Sequence, residues 1–167
     1  LGILRLKVET DHLQFFNKSS EVYQSTMFIE KNLAGVSTLE LIIDTHKDGG
    51  IKDPHTLQEI DQLVSFIRKQ KNVDKALSII DFLKDMNRAM HNNDQAYYII
   101  PDSREAIAQY LLLYSMSSRR NDIEKDFVNN DYSLGRIRCR ISEHNSKNIL
   151  ALNKSLKNYA SAHLNKG

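Results

Sequence analysis

Only one cysteine, Cys139, occurs in the 167 residues, so no disulfide can form within the chain. A lone thiol most often serves as a small buried apolar group, and its presence is neutral about redox compartment. Long apolar runs are missing too. Stretches such as residues 110–114 fall far short of the roughly 20 apolar residues that a bilayer-spanning helix needs. There is no excess of either charge: 23 basic and 21 acidic residues leave a net charge of +2, which argues against a nucleic-acid binder. Nor is there a Gly-rich phosphate loop, a GxSxG turn or a paired-carboxylate signature. No catalytic residue, cofactor or metal is therefore expected. What remains is ordinary for a folded domain, with 41% hydrophobic and 26% charged residues, and it excludes disorder and collagen-like states. The chain opens on Leu1 without a signal peptide, as a fragment or processed product would.

Hydrophobic periodicity gives the order of elements. Residues 3–10 alternate, with Leu4, Leu6 and Val8 against Arg5, Lys7 and Glu9, which predicts a short entry strand. Ser19 or Ser20 can cap a helix running to about Leu33. Residues 38–45 (TLELIIDT) form the strongest strand, with Leu39, Leu41 and Ile43 on one face. Gly49 and Gly50 break it. Asp53 then caps a helix over 54–70, with Pro54 at its first position and a stripe of Leu57, Ile60, Leu63, Val64 and Ile67. Residues 73–80 read as another strand. Asp81 is expected to cap a helix whose inner face carries Phe82 or Leu83, then Met86 and Met90. Asp102 and Glu105 suggest a capping box for a helix over 103–116, with Ile107, Tyr110, Leu111 and Tyr114 as its stripe. Residues 117–121 read as a loop. Residues 134–142 alternate again, Ile137, Cys139 and Ile141 against Arg136, Arg138 and Arg140, and a last helix follows over 146–164.

This order, strand-helix-strand, a helical insertion at about 81–130, then strand-helix, predicts an α+β fold. It is a ferredoxin-like, split β-α-β sandwich with its final strand missing. Both long helices should lie on one face of a mostly antiparallel sheet. The entry strand, the first helix and the insertion are candidates to cover the other face. Residues 1–36 form an entry segment and 37–167 the domain proper.

Four side-chain groups invite a chemical reading. Asp44-x-His46-x-Asp48-Gly49 resembles the start of a calcium loop, but the twelfth position is His55, where a bidentate Glu is needed, and His46 is a poor ligand for a hard cation. A plain strand-to-helix turn is the expectation. Cys139 and His144 are near in sequence, yet Cys139 sits on the apolar face of a strand, which favours a buried structural thiol. The Arg136, Arg138 and Arg140 ladder fits a solvated strand face paired with acidic neighbours. Met86, Met90, Tyr97, Tyr98, Tyr110, Tyr114 and Met116 form the largest aromatic and methionine group. Such side chains suit adaptable apolar contact with a ligand, and equally the core of the insertion.

Several stretches together resemble a known family. RLKVETDHLQFF (5–16) looks like the segment that follows a transmembrane helix in resistance-nodulation-division (RND) exporters of the MMPL-like branch. STLELIIDTHKDGGIKDP (37–54) is similar to that branch's first porter strand and turn. The most specific match is LSIIDFLKDMNRAMHNNDQAYYIIPDSREAIAQYLLLYSMS (77–117), and DYSLGRIRCRIS (131–142) resembles the next porter strand. The order is the family's order. His46, Asn92 and Asn93 stand where glycine or other small residues are expected.

The resemblance implies a proton-driven inner-membrane exporter, with this domain on the extracytoplasmic (periplasmic) side and more like the second-half loop than the first. It implies lipophilic substrates, with Tyr97, Tyr98, Tyr110, Tyr114, Met86 and Met90 as candidate contacts. The implied partners are the transmembrane helices and second porter loop of the same full-length protein, with an oligomer of that protein a further possibility. It also implies a continuation past Gly167 into a last strand and a membrane helix. A free-standing periplasmic binding or adaptor module with a ferredoxin-like core is the competing reading, and an enzyme on the same fold the third.

Overall fold

The fold was analysed in a computed structural model, which describes residues 5–8, 20–21, 24–25, 28, 37–116, 127–142 and 146–164. Its elements are β1 (Arg5–Val8), β2 (Ser37–Asp44), α1 (Pro54–Arg68), β3 (Val73–Leu77), α2 (Ile79–Met90), α3 (Arg104–Met116), β4 (Leu134–Ile141) and α4 (Ser146–His163). One-turn 3₁₀ helices lie at Gly50–Lys52 and Gln95–Tyr97. The predicted helix at residues 20–33, the loop at 117–121 and His144 lie wholly or largely outside the described residues.

The architecture mixes α and β: a four-stranded antiparallel sheet in the order β1-β2-β4-β3, with helices packed on it. Both β2 and β3 run antiparallel to β4, so they are parallel to each other, joined through α1 with β4 between them. β2 and β4 pair over their full lengths, from Ser37 opposite Ile141 to Asp44 opposite Leu134. Period-2 alternation decides which face is buried. Leu39, Leu41, Ile43, Ile137, Cys139 and Ile141 are all buried, while Thr38, Glu40, Ile42, Arg136 and Arg138 are half-exposed.

The buried face is covered by α1 through its predicted stripe, from Leu57 to Ile67. α4 lies beside α1, with Phe66 and Tyr159 stacked at 4.0 Å and Leu156 in the same core. Ile107 and Leu111 of α3 and Ile79, Ile80 and Leu83 of α2 complete that core, so the insertion shares it. Each of these large apolar side chains contributes about 1.5–3 kcal/mol by leaving water.

Two helix starts differ from expectation, one lying three residues earlier and the other one residue later. The strand predicted over 73–80 stops at Leu77, because Ser78 caps α2. Its hydroxyl accepts the Ile80 amide, and the Asp81 carboxylate accepts the Ser78 amide in return. Asp81 is thus the third residue of a capping box, and Ile79 and Ile80 form the buried first turn. Likewise α3 is capped by Ser103, whose hydroxyl accepts the Ala106 amide, and not by Asp102.

The entry strand also differs from expectation. β1 does not lie across a face; it pairs antiparallel with β2, Arg5 opposite Ile42 through Val8 opposite Leu39, and so extends the sheet. At the opposite edge, β3 is short and carries a register shift between Val73 and Lys75, which leaves Asp74 and Lys75 both exposed. Arg68 donates from Nε and Nη2 to the Ala76 carbonyl. Bulge, charge and guanidinium together discourage another strand from adding there.

Candidate functional site

The aromatic and methionine residues chosen from the sequence do not converge on one surface. Tyr110 is core: it is 9% exposed, and its hydroxyl donates to Asn87 Oδ1 at 3.1 Å. Met86 is partly buried against the same core. Met90, expected on the inner face of α2, is instead 54% exposed; it is the last residue of that helix, beyond the buried positions Ile79, Ile80, Leu83 and Asn87. Tyr97 is 41% exposed and stacks on His91 at 3.8 Å. Tyr98 is half-buried beneath Arg88 and Lys84, and burial first, then Asp85 and Asp81, push its hydroxyl pKa up. The Tyr114 side chain lies outside the described residues. Met90, Tyr97 and Ile99 remain as exposed apolar groups around the end of α2.

Asn87 holds this region in shape. Its amide donates to the Tyr97 and Ile99 carbonyls, both at 3.1 Å, while its oxygen takes the Tyr110 hydroxyl. One buried side chain thereby ties α2 to the following loop and to α3. The positions that stand out in the family resemblance, His46, Asn92 and Asn93, all adopt positive φ, at 53°, 55° and 60°. Asn enters this left-handed region more readily than most residues.

A recess lies elsewhere, where β2 leaves the sheet and α1 begins. It is a cleft of about 490 Å³. Gly50 lines one wall, and the Gly49–Gly50 turn that carries it is stitched to the loop before β4. Thr45 N and Oγ1 donate to the Ser133 carbonyl, Gly49 N to that of Asp131 and Ile51 N to that of Tyr132. Each glycine suits its position. Gly49 has φ 67°, and a Cβ on Gly50 would stand 2.2 Å from Thr45 Oγ1. Asp131 braces the loop by accepting from Ser133, and those hydrogen bonds hold its carboxyl below the usual range.

The cleft's carboxylates are already engaged. Asp44 accepts the His46 amide at 2.8 Å and faces the His46 ring at 3.4 Å. Asp53 accepts the amides of His55 and Thr56 as the cap of α1. Glu59 faces the His55 ring at 3.5 Å. The calcium-like motif is therefore built as a hydrogen-bonded turn, and among the described residues no group of three His, Cys, Asp or Glu side chains could hold a metal. Ile43, Ile60 and Leu164 supply apolar lining. Arg104, the first residue of α3, reaches in over Gly49, where a Cβ would meet its Nη2 at 2.5 Å. Sequence reading found the turn but not Arg104, because nothing local marks an arginine about 55 residues away as its neighbour.

The remaining candidates have structural roles. Cys139 is fully buried, and burial pushes its thiol up to about 12. Arg136 and Arg138 flank Glu40 across the β2–β4 pair, at 3.8 and 3.3 Å. Compared with known proteins, the chain matches no protein-family model, no curated protein and no solved structure. Among the described residues, no helix is long and apolar enough to cross a membrane.

Proposed function

We propose that this chain is a ferredoxin-like porter domain on the extracytoplasmic side of an RND-type, proton-driven exporter, and that it helps to bind and pass lipophilic substrates. The observation that carries this reading is the strand order. In a ferredoxin-like sheet, a final strand pairs antiparallel with the first strand of the split β-α-β unit. Here β1 holds that edge beside β2. The entry strand thus takes a place that a later strand fills in a self-contained ferredoxin-like unit. A porter segment that begins directly after a membrane helix and is built from both ends of its loop suits this arrangement. The sequence resemblance over residues 5–16, 37–54, 77–117 and 131–142 supports the same reading, as do the exposed apolar side chains Met90, Tyr97 and Ile99. A ligand that offers area and few hydrogen bonds is best met by such groups.

The test is export by the full-length protein in cells. Deleting its gene should raise retention of a lipophilic dye, and restoring it should reverse the effect. Replacing Met90 and Tyr97 together by Ala should cut export while leaving the amount of folded protein in the membrane unchanged, since both side chains are exposed. Unchanged dye retention in the deletion strain would count against the exporter reading. Normal export by the double variant would remove those two residues from it.

A further inference from the structure

The cleft at the start of α1 has an imbalance that its role in the fold leaves unexplained. Every carboxylate in its wall has a partner, as described above. Arg104 has none: among the described residues, its guanidinium makes neither a hydrogen bond nor an ion pair. Yet the residue is half-buried, with its guanidinium laid against the Gly49 backbone. A fixed cation withdrawn from water without a counter-charge is costly, and a planar fork of donors is the group best suited to a carboxylate or phosphate. Next to it, buried Ile43 and Ile60 with half-buried Leu164 give the same cleft an apolar lining. A volume of about 490 Å³ lies in the range of small-molecule sites.

We propose that this cleft binds a small organic anion, a carboxylate or phosphate monoester. Its charged end pairs with Arg104 and its short apolar part lies over Ile43, Ile60 and Leu164. Gly49 is part of the site, because the absent side chain lets the guanidinium settle on the turn. The exposed His46 and His55 rings stand at the mouth of the cleft, each facing a carboxylate of its own, so Asp44 and Glu59 are partly screened from the ligand. The inference is independent of the exporter reading; it concerns this chain alone, and a negative result for one leaves the other standing.

The experiment is an amide- and guanidinium-detected NMR titration of the chain with hexanoate, hexyl phosphate, inorganic phosphate, hexanol and hexylamine. Hexanoate or hexyl phosphate should produce saturable shifts at the Gly49, Gly50 and Ile60 amides and at the Arg104 Nε–H. Hexanol should not. Binding of inorganic phosphate as tight as that of hexyl phosphate would restrict the site to the free anion and overturn the apolar half of the proposal. Arg104→Gln should weaken the organic anions at least about tenfold, the loss expected for a charged hydrogen-bonding partner, and Arg104→Lys should weaken them less. A dispersed spectrum of each variant confirms folding. The proposal is overturned if neither organic anion gives saturable shifts by about 10 mM, the weak limit for a small ligand. It is equally overturned if Arg104→Gln binds as wild type does, or if hexylamine binds better than hexanoate.

Discussion

The Tyr110 hydroxyl donates to Asn87 Oδ1 at 3.1 Å, joining α3 to α2 inside the core, with the two residues 9% and 5% exposed. Asn87 also holds the carbonyls of Tyr97 and Ile99, so a single side chain satisfies three groups. Replacing Asn87 by Ala strands all three. The expected cost is about 2–4 kcal/mol, from unsatisfied polar groups and lost packing. Tyr110→Phe removes one bond and should cost about 1 kcal/mol. Urea unfolding of the two variants checks both the size and the order.

The two glycines of the β2–α1 turn should respond differently to Ala. Gly50→Ala drives a methyl group into Thr45, whose hydroxyl is fixed on Ser133, and should cost about 2–3 kcal/mol. Gly49→Ala meets only the end of the Arg104 side chain, which can swing away. It retains the penalty of positive φ, about 1 kcal/mol. Thermal melts of the two variants should rank them in that order.

Cys139 should be chemically silent in the folded chain. Its thiol is pushed from 9.0 up to about 12 by burial, which disfavours the reactive thiolate. Because the folded value lies above the unfolded one, the contribution to stability is complete below about pH 9. It is lost as the pH rises toward 12. Iodoacetamide at neutral pH should label the chain only in denaturant; rapid labelling of the native chain would contradict the placement of Cys139 in the core.

Arg68 guards the free edge of β3. Its guanidinium takes the Ala76 carbonyl and also pairs with Asp81 at the start of α2. Arg68→Ala should cost about 1 kcal/mol, as expected for a partly exposed pair with backbone hydrogen bonds. It should also increase self-association, seen by light scattering, because the edge would then offer an open carbonyl to another strand.

Much of this fold was legible because burial follows a simple period. Leu39, Leu41 and Ile43, the matching Ile137, Cys139 and Ile141, and the α1 stripe all lie where alternation or helical spacing placed them. Boundaries failed where local chemistry competed with hydrophobicity. Ile79 and Ile80 continue an apolar run, yet the Ser78–Asp81 pair starts a helix beneath them. Pairing across the sheet could not be read either, since nothing in residues 5–8 says that they join β2 instead of lying over a face. The tyrosine and methionine group divides in a way the sequence does not mark: Tyr110 and Met86 pack in the core, while Met90 and Tyr97 are exposed. Composition does not reveal that a polar Asn87 would take an inward position on α2, or that Met90 would fall at the exposed end of that helix. The cleft needs Asp44 to Ile60, Arg104 and Leu164 together, a grouping that only the tertiary fold creates.

The proposed function is movement of lipophilic molecules by the full-length protein at the expense of a proton gradient. The most direct measurement is on that protein, purified and reconstituted in liposomes with a lipophilic fluorophore and an imposed pH gradient. The account predicts fluorophore movement that starts with the gradient, stops when a protonophore collapses it, and is weakened in the Met90→Ala, Tyr97→Ala double variant. Movement no faster than in protein-free liposomes, or movement indifferent to the gradient, would contradict it.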